Sequence, residues 1–317
     1  MNVKYQTKEV KVVIKENSLL NIKKYLDIQT KYLVLTDENV YKLYKNHFEG
    51  LINTKFYVVK PGEESKTIEN VIKIIQFMLE NNFHRKDKLI CFGGGVIGDL
   101  GGFVASIYKR GIEYINIPTT LIAQVDSAFG GKVGVNYLNF KNQIGAFYHP
   151  SLIICDPIFL ETLDQENYLS GFCEIVKYAA LFDKKMFHDI DNGNYELIDL
   201  IKKCIEYKIK ITLEDEYDQN TRKLLNFGHT IGHAIEAKYH LPHGISIGYG
   251  MYLESRNEEI KNVLSKLGLD FSITFDGLSS FIKQDKKIEN NKITIVRLIE
   301  IGNAYLEEGE LSEYFIE

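Results

Sequence analysis

Four of the eight histidines in this chain lie between residues 229 and 243, among them His229 and His233, four residues apart, and His243 shortly after them. Residues four apart on a helix project from one face, so His229 and His233 can converge on a single ligand. A third imidazole can return from the following loop at His243, and Glu174, far upstream, offers a carboxylate. Two histidines and one carboxylate, with a coordination position open to substrate or water, form a catalytic zinc site.

The spacing alone leaves the ligand set open. His229 and His233 could be the two histidine ligands, with His243 a loop residue that takes no part. A pair of helical histidines can also be two ordinary polar residues that bind no metal.

A second chemical feature is the glycine-rich segment Gly93 to Asp99, which follows an apolar run. The pattern predicts a strand, a glycine turn and a helix, whose exposed amides and positive end would bind a phosphate. Its glycines match GxGxxG, a motif that usually comes with an acidic residue at the end of a nearby strand for the ribose. Asp37, which ends the earlier run Tyr32 to Thr36, is such an acid by a less usual route. We therefore expect a nucleotide site with an irregular topology.

The third feature is the segment Ile117 to Lys132 with its continuation to Asn142. Asp126, Lys132, Lys141 and Asn142 interrupt a stretch of small residues with polar and cationic groups. A pocket for an anionic polyol requires such groups, although solvated lysines in an ordinary loop would look the same.

Composition limits the class of protein. With 317 residues and 45% hydrophobic content the chain can bury one large core or two smaller ones. Its 38 basic and 43 acidic residues give a net charge of −5, which argues against a nucleic-acid partner. No CxxC occurs, so the four cysteines are expected to be buried and reduced. Neither an apolar signal core nor a run of about 18 apolar residues is present, so we expect no membrane association and a cytoplasmic location.

Two domains are predicted, residues 1–157 and 158–317. The first has the alternation of an α/β, Rossmann-like domain with a mostly parallel sheet. Its strand-like runs are Val10–Ile14, Tyr32–Thr36, Lys55–Val59, Lys88–Phe92, Tyr114–Ile117 and Leu152–Cys155, with a helical pattern at Ser65–Asn81. The second is predicted to be mainly α-helical from three- and four-residue apolar spacing. Its helical segments are Gly171–Leu181, Tyr195–Glu214, Thr221–Tyr239, Ile247–Leu267 and Ser279–Asp285. The runs Ile293–Leu298 and Ala304–Glu307 are predicted strands, paired as a hairpin by a loop at Asn290-Asn291.

With these features in place, the chain resembles the 3-dehydroquinate synthase family of the sugar-phosphate cyclase superfamily over nearly its whole length. The order and spacing of several short motifs together carry the resemblance. They are Gly93 to Leu100 with Arg110-Gly111, Pro118-Thr119-Thr120-Leu121, Asp126-Ser127, Gly130-Gly131-Lys132, Lys141-Asn142, Glu174-Ile175-Val176-Lys177, Asn226 to His233 and Asp285-Lys286-Lys287.

The resemblance implies a role for each matching residue. The metal ligands would be Glu174, His229 and His243, while His233 would face the substrate and handle protons. NAD would contact Asp37, Pro61, Gly62, Glu63, Glu64, Ser65, Lys66, Gly94, Gly95, Val96, Ile97, Gly98, Asp99, Thr119, Thr120, Lys132, Lys141, Phe159, Leu160, Glu161 and Thr162. The substrate set would be Asp126, Lys132, Lys141, Asn142, Lys177, Lys208, Arg222, Asn226, His233 and a lysine of the 286–287 pair, here Lys286. Arg110 would reach the phosphate pocket of a neighbouring subunit in a homodimer.

The reaction implied converts 3-deoxy-D-arabino-heptulosonate 7-phosphate, a phosphorylated keto-acid sugar, to 3-dehydroquinate and phosphate in the shikimate pathway. NAD would oxidise carbon 5 transiently, phosphate would be eliminated, and re-reduction, ring opening and an intramolecular aldol closure would follow. Zinc, cobalt or another divalent metal would polarise the hydroxyl. The substrate's own phosphate could serve as the base for the elimination, so no dedicated protein base is required.

Two other functions are compatible with these motifs. One is another sugar-phosphate cyclase, such as 2-deoxy-scyllo-inosose synthase, or a zinc-dependent polyol dehydrogenase; Lys132, Lys208 and Arg222 argue against these, since a substrate without a carboxylate has less use for them. The other is a binding-only protein, which the intact ligand positions argue against.

Val133 and Ile245 stand where members of the family commonly have threonine and glutamate, so the fine adjustment of the pocket is expected to differ. The chain is also shorter than many members, in the helical half after His243.

Overall fold

The computed structural model describes residues 1–51, 53–138, 140–282 and 292–310, apart from the side chains of Ser280 and Lys292. The chain forms two compact units, Met1–Leu163 and a second that begins at Asp164. The sequence suggests a division after residue 157 instead. The boundary lies later because the 3-10 helix Pro157–Thr162 belongs to the first unit, where its Phe159 is buried in the core.

The first unit contains a seven-stranded sheet and a separate two-stranded ribbon. The sheet strands are β1 (Asn2–Lys4), β2 (Glu9–Ile14), β3 (Tyr32–Asp37), β4 (Thr54–Val59), β5 (Lys88–Gly93), β6 (Tyr114–Pro118) and β9 (Leu152–Cys155). The ribbon strands are β7 (Lys132–Tyr137) and β8 (Phe140–Phe147), and the helices are α1 (Glu38–Tyr44), α2 (Ile68–Glu80) and α3 (Gly95–Ile107). The order across the sheet is β1-β2-β9-β6-β5-β3-β4, and all its pairs except β1 with β2 are parallel.

The predicted Rossmann-like domain with a mostly parallel sheet is confirmed. Its six predicted strands are β2, β3, β4, β5, β6 and β9, each within a residue of the expected bounds. The apolar runs of β3, β6 and β9 are buried along their whole length and that of β5 nearly so, as expected for parallel strands covered on both faces, whereas β2 and β4 are partly exposed. The ribbon β7–β8 was missed because glycines and polar residues interrupt its alternation and most of β8 is exposed.

The second unit is mainly helical, as predicted. Its helices are α4 (Gln165–Phe182), α5 (Lys184–Asp191), α6 (Leu197–Glu214), α7 (His229–Tyr239), α8 (His243–Ser255), α9 (Glu258–Leu267) and α10 (Ser279–Ile282). They are followed by the antiparallel hairpin β10 (Lys292–Glu300) and β11 (Asn303–Glu310). No helix in the described ranges is long and apolar enough to cross a membrane.

Two predicted helices in this unit are each interrupted, and α4 begins at Gln165 rather than at the predicted Gly171. The helix expected over 221–239 is interrupted at Gly228, whose φ is +74°, and residues Thr221–Asn226 form a 3-10 helix instead. The helix expected over 247–267 is two helices, because Arg256 ends α8 with a φ of +53°. The hairpin turns at Ile301-Gly302, whereas the loop expected at Asn290-Asn291 lies outside the described residues.

Helix α8 approaches its two neighbours closely enough for backbone contact. A Cβ atom at Gly244 would lie 1.9 Å from the carbonyl oxygen of Ser170 on α4. One at Gly250 would lie 2.0 Å from the carbonyl oxygen of Gly228, the residue before α7. Side chains cannot be accommodated at these two points, so glycine sets the distance between the helices that carry Glu174, His229 and His243.

Gly244→Ala should therefore destabilise the protein strongly, by about 2–3 kcal/mol or more, because overpacking against backbone cannot be relieved by a rotamer change. Gly248→Ala is the matched control on the same helix. Its Cβ would meet side-chain atoms, Leu269 Cδ2 at 2.8 Å and Cys173 Sγ at 3.1 Å, which can shift. We expect a change within about 1 kcal/mol there, since alanine also favours the helix. Urea unfolding of both variants measures the difference, and equal losses would contradict this account of the packing.

Candidate functional site

The start of α7 is capped by a residue from α8. Gly228 precedes α7 in the left-handed region and has no side chain to accept from the first N–H groups of the helix. Glu254 supplies the acceptors instead, with Oε2 2.8 Å from the amide nitrogen of Gly228 and Oε1 3.1 Å from that of Ile231. A carboxylate at a helix N-terminus satisfies unpaired amides and favours the helix dipole. The position of His229, the first residue of α7, is fixed in this way.

Three imidazoles converge in the second unit, as the sequence predicted. One ring nitrogen from each of His229, His233 and His243 lies within 4.8 Å of the others. The three ring centroids are 5.2 to 5.6 Å apart. His243 is not in a loop, as the sequence suggested, but is the first residue of α8. The described residues thus contain a group of donors that could hold a cation.

Hydrogen bonds at Nδ1 orient two of the three rings. His229 donates from Nδ1 to the carbonyl oxygen of Phe227 at 3.0 Å, since a carbonyl can only accept. His243 directs Nδ1 to Oε2 of Glu236 at 2.9 Å. In each ring the second nitrogen, Nε2, is then the atom available to a metal, and a carboxylate or carbonyl behind the ring is the usual support for a metal-binding histidine.

The proton competes with a metal at His243. Burial lowers the pKa of this imidazole, but the hydrogen bond to Glu236 and the negative charges of Glu236 and Glu174 outweigh burial and raise it above its ordinary value. Because a ligating nitrogen must be unprotonated, the raised pKa makes protons stronger competitors for a cation at this nitrogen.

Glu174 brings a buried carboxylate to the same place. Its side chain is 1% exposed on α4, and Oε1 lies 3.8 Å from Nε2 of His243. Lys177 Nζ lies 2.5 Å from Oε2, yet neither oxygen accepts a well-aligned hydrogen bond in the described chain. A buried charge needs compensation. Lys177 supplies part of it on one side, and the side facing His243 suits a divalent cation.

Two further cations predicted to bind substrate are buried in this unit. Lys208 on α6 is 6% exposed and Arg222 is 3% exposed. Asp215 holds the loop before Arg222 by accepting from the amides of Gln219, Asn220 and Arg222. Arg222 itself donates to the carbonyl oxygen of Glu216 at 2.6 Å. Asn226 ends the 3-10 helix that follows, and Lys286 lies outside the described residues.

In the first unit, the residues expected to contact NAD follow the carboxyl ends of parallel strands. Asp37 ends β3, residues 61–66 follow β4, Gly94 to Asp99 follow β5, Thr119 and Thr120 follow β6, and Phe159 to Thr162 follow β9. All five strands run in the same direction in one sheet, so these segments lie along one edge. That edge is where open α/β sheets bind ligands.

The glycine turn leaves a helix N-terminus without a side-chain cap. Gly94 precedes α3 and offers no acceptor, so the amides of the first turn at Gly95 and Val96 remain suited to a phosphate. Beside it, Asp37 uses Oδ1 to accept from the amides of Asn39 and Val40 at 2.9 and 3.0 Å. Its second oxygen is not engaged in that cap, which fits the expected contact with a ribose hydroxyl.

Lys66 joins the segment after β4 to this turn. Its Nζ lies 2.6 Å from Oδ2 of Asp99 on α3, and the Lys66 side chain is 6% exposed. Burial raises the pKa of Asp99, and the charge of Lys66 opposes that rise.

The remaining candidates of the first unit lie on irregular backbone or on the ribbon. Asp126 lies in the π-helical turn Ala123–Ser127. Lys132 begins β7, and Lys141 and Asn142 lie on β8, with Asn142 in the left-handed region at a φ of +53°. Arg110 is exposed and also left-handed, with a φ of +66°.

Sequence comparison decides the family. The profile described as the 3-dehydroquinate synthase N-terminal domain matches residues 56–170, and that of the C-terminal domain matches residues 171–288. The chain belongs to the 3-dehydroquinate synthase family. Among its relatives, the 3-dehydroquinate synthase of Alkaliphilus metalliredigens is 38% identical over 90% of this chain and 88% of its own length. That of Clostridium botulinum is 40% identical over 90% and 89%.

Solved structures show the same fold. A 2-epi-5-epi-valiolone synthase from Streptomyces hygroscopicus, with NAD+ and Zn2+ bound, is 25% identical with a TM-score of 0.85, over 96% of this chain and 94% of that one. A 2-deoxy-scyllo-inosose synthase complexed with carbaglucose-6-phosphate, NAD+ and Co2+ is 22% identical with a TM-score of 0.87, over 99% and 97%. The dehydroquinate synthase-like fold predicted from sequence is thus confirmed. At 22% identity, the similarity to the 2-deoxy-scyllo-inosose synthase shows a shared fold and no more.

Sequence reasoning missed two carboxylates that support the candidate metal centre of this 3-dehydroquinate synthase family member. Glu236 is three residues after His233, on the turn of α7 that faces His243, and this spacing was a usable signal. Glu254 had none, because it acts on α7 from another helix.

The ligand pairing expected from the family remains a prediction that metal analysis can test. His243→Ala should lose most of the bound metal, because it removes a nitrogen oriented by Glu236. His233→Ala should keep most of the metal and slow turnover. Zinc content of both purified variants, measured by mass spectrometry, decides between the pairings. Zinc lost from the His233 variant but kept by the His243 variant would reverse the assignment.

Proposed function

We propose that this protein catalyses the 3-dehydroquinate synthase reaction, the conversion of 3-deoxy-D-arabino-heptulosonate 7-phosphate to 3-dehydroquinate and phosphate. It would then be an NAD- and metal-dependent carbon-oxygen lyase of aromatic amino acid biosynthesis. The observation that carries the proposal is the buried carboxylate of Glu174 beside the oriented imidazole of His243, in a chain of this family. NAD+ and a divalent cation, when bound, would supply reversible oxidation at carbon 5 and polarisation of the hydroxyl there.

The chain's own residues would bind and orient the substrate. Lys132, Lys208 and Arg222 carry positive charge for the carboxylate and phosphate ends, and holding a flexible sugar in one geometry supplies much of a rate enhancement. Asp215 helps to position Arg222, because its Oδ2 accepts a hydrogen bond from the Arg222 backbone amide at 3.1 Å. His233 has its ring centroid 5.2 Å from that of His229, so it can hold or pass a proton beside the reacting hydroxyl.

Another sugar-phosphate cyclase activity is the second candidate, because two solved cyclases share the fold. The buried cations Lys208 and Arg222 favour a sugar phosphate that also carries a carboxylate over one that does not. Glucose 6-phosphate, offered in a parallel assay, tests this alternative directly.

Turnover should release phosphate without net formation of NADH. The purified protein is incubated with the heptulosonate phosphate, NAD+ and zinc, while phosphate release and absorbance at the NADH maximum are followed. Because the reduced cofactor would be reoxidised in each cycle, its concentration should stay near or below that of the enzyme. NADH that rises in step with product would identify a simple dehydrogenase, and an absence of phosphate release would refute the proposed function.

We also propose a homodimer in which Arg110 acts on the partner's site. Lys109, Arg110 and Gly111 all have positive φ, at +49°, +66° and +108°. Non-glycine residues in this region are costly and persist where the surrounding structure holds them. The exposed guanidinium is thus presented on a constrained turn, and its two-pronged geometry suits a phosphate better than lysine does.

Subunit mixing tests this role of Arg110. Arg110→Ala and His229→Ala are each expected to be nearly inactive alone, the first with its metal retained. After subunit exchange, the intact metal site of the first would receive the arginine of the second. An equal mixture should regain about a quarter of wild-type activity, since roughly half of the dimers are mixed and each has one complete site. Demonstrated exchange with no recovery would show that Arg110 does not act across the dimer.

A further inference from the structure

Asn136 interrupts the ribbon β7–β8 and turns its backbone toward another segment. Val135 pairs with Ile144 and Tyr137 with Phe140, so the register shifts at Asn136 as in a β-bulge. Its amide donates instead to the carbonyl oxygen of Lys66 at 2.9 Å, and the residue forms an isolated bridge with Thr67. The bulge thus attaches the ribbon to the segment that follows β4.

The side chain of Asn136 uses both of its functional groups to join the same two pieces. Nδ2 donates to Oε1 of Glu63 at 2.8 Å, and Oδ1 accepts from the amide of Asn142 at 2.9 Å. An amide side chain offers a donor and an acceptor together. Leucine would supply neither and aspartate only the acceptor.

These contacts complete a continuous set of polar links across the first unit. Asp99, on the helix after the glycine turn, pairs with Lys66 at 2.6 Å, and the Lys66 carbonyl accepts from Asn136. Asn136 in turn holds the amide of Asn142, whose φ of +53° is a sparsely populated conformation that needs such support. A change that orders one end therefore favours order at the other.

We propose that Asn136 is a positioning residue that couples the segment 63–66 to the ribbon carrying Lys141 and Asn142, so that NAD+ and substrate each tighten the binding of the other. The inference rests on the proposed function, which assigns cofactor contacts to the segment and substrate contacts to the ribbon. When NAD+ orders the segment, less conformational entropy remains to be lost when the substrate orders the ribbon. By thermodynamic linkage, the substrate increases the affinity for NAD+ by the same factor.

Calorimetric titration measures this coupling. NAD+ is titrated into the zinc-loaded protein with and without a saturating phosphonate analogue of the heptulosonate phosphate, which cannot lose phosphate. The wild-type protein should bind NAD+ about 5-fold or more tightly with the analogue present, the lower end of usual couplings. Asn136→Leu should reduce that ratio to near one while both ligands still bind.

Asn70→Leu is the matched control. Asn70 Nδ2 donates to the carbonyl oxygen of Ser65 at 2.8 Å, so it holds the same segment from α2 through a hydrogen bond that does not involve the ribbon. Its loss should weaken NAD+ binding but leave the ratio of affinities unchanged. Hydrogen exchange at the amide of Asn142 should accelerate in the Asn136 variant and not in the Asn70 variant.

Reversing the hydrogen bond between residues 136 and 63 distinguishes loss of this bond from misfolding of the variant. Asn136→Asp places a carboxylate against Glu63, so coupling should fall. Adding Glu63→Gln restores the link with donor and acceptor exchanged, and the ratio should recover toward that of Glu63→Gln alone.

The outcomes separate two failures. Wild-type protein that binds neither NAD+ nor the analogue would refute the proposed function. Wild-type protein that binds both independently, or an Asn136→Leu variant that keeps the full coupling, would overturn the role of Asn136 alone. A double variant no better coupled than Asn136→Asp would also count against it.

Discussion

Backbone contact between α8 and its neighbours is the constraint on which the candidate metal centre depends. Gly244 meets the carbonyl of Ser170 on α4, and Gly250 meets that of Gly228 before α7. Three donors from three helices converge only if those helices lie closer than ordinary side chains allow. The glycines of α8 lower its helix propensity, by about 1 kcal/mol each. The glycines therefore weaken α8 as a helix but permit the close helix spacing that the site requires.

Charge balance is the second requirement of this centre. Glu174 is buried with an ion pair to Lys177 on one side and His243 on the other. Removing Lys177 would leave a buried carboxylate poorly compensated, which is far more costly than an exposed one. A divalent cation at Glu174 would relieve that cost, so metal binding and the stability of the second unit are physically linked. Glu236 extends the same arrangement outward by orienting His243 from behind.

Sequence patterns predicted most of the regular structure and the convergence of the three histidines. Apolar runs identified the strands of the parallel sheet, and four-residue spacing placed His229 and His233 on one face. The ribbon β7–β8 escaped prediction because its strands are largely exposed and lack a two-residue alternation. Glu254 and Asn136 escaped for a different reason. Their roles are contacts with residues distant in sequence, and no local pattern specifies such partners.

Several residues of the first unit to which the family resemblance assigns chemistry lie on irregular backbone. Arg110 and Asn142 adopt left-handed conformations, Asp126 lies in a π-helical turn, and Asn136 forms a bulge beside the segment expected to contact NAD. Each departure costs free energy that regular structure avoids, so each needs neighbours that hold it in place. Hydrogen bonds such as that from the Asn142 amide to Asn136 provide this support. The regular strands and helices thus act as a rigid frame, and function is expected where that frame is locally strained.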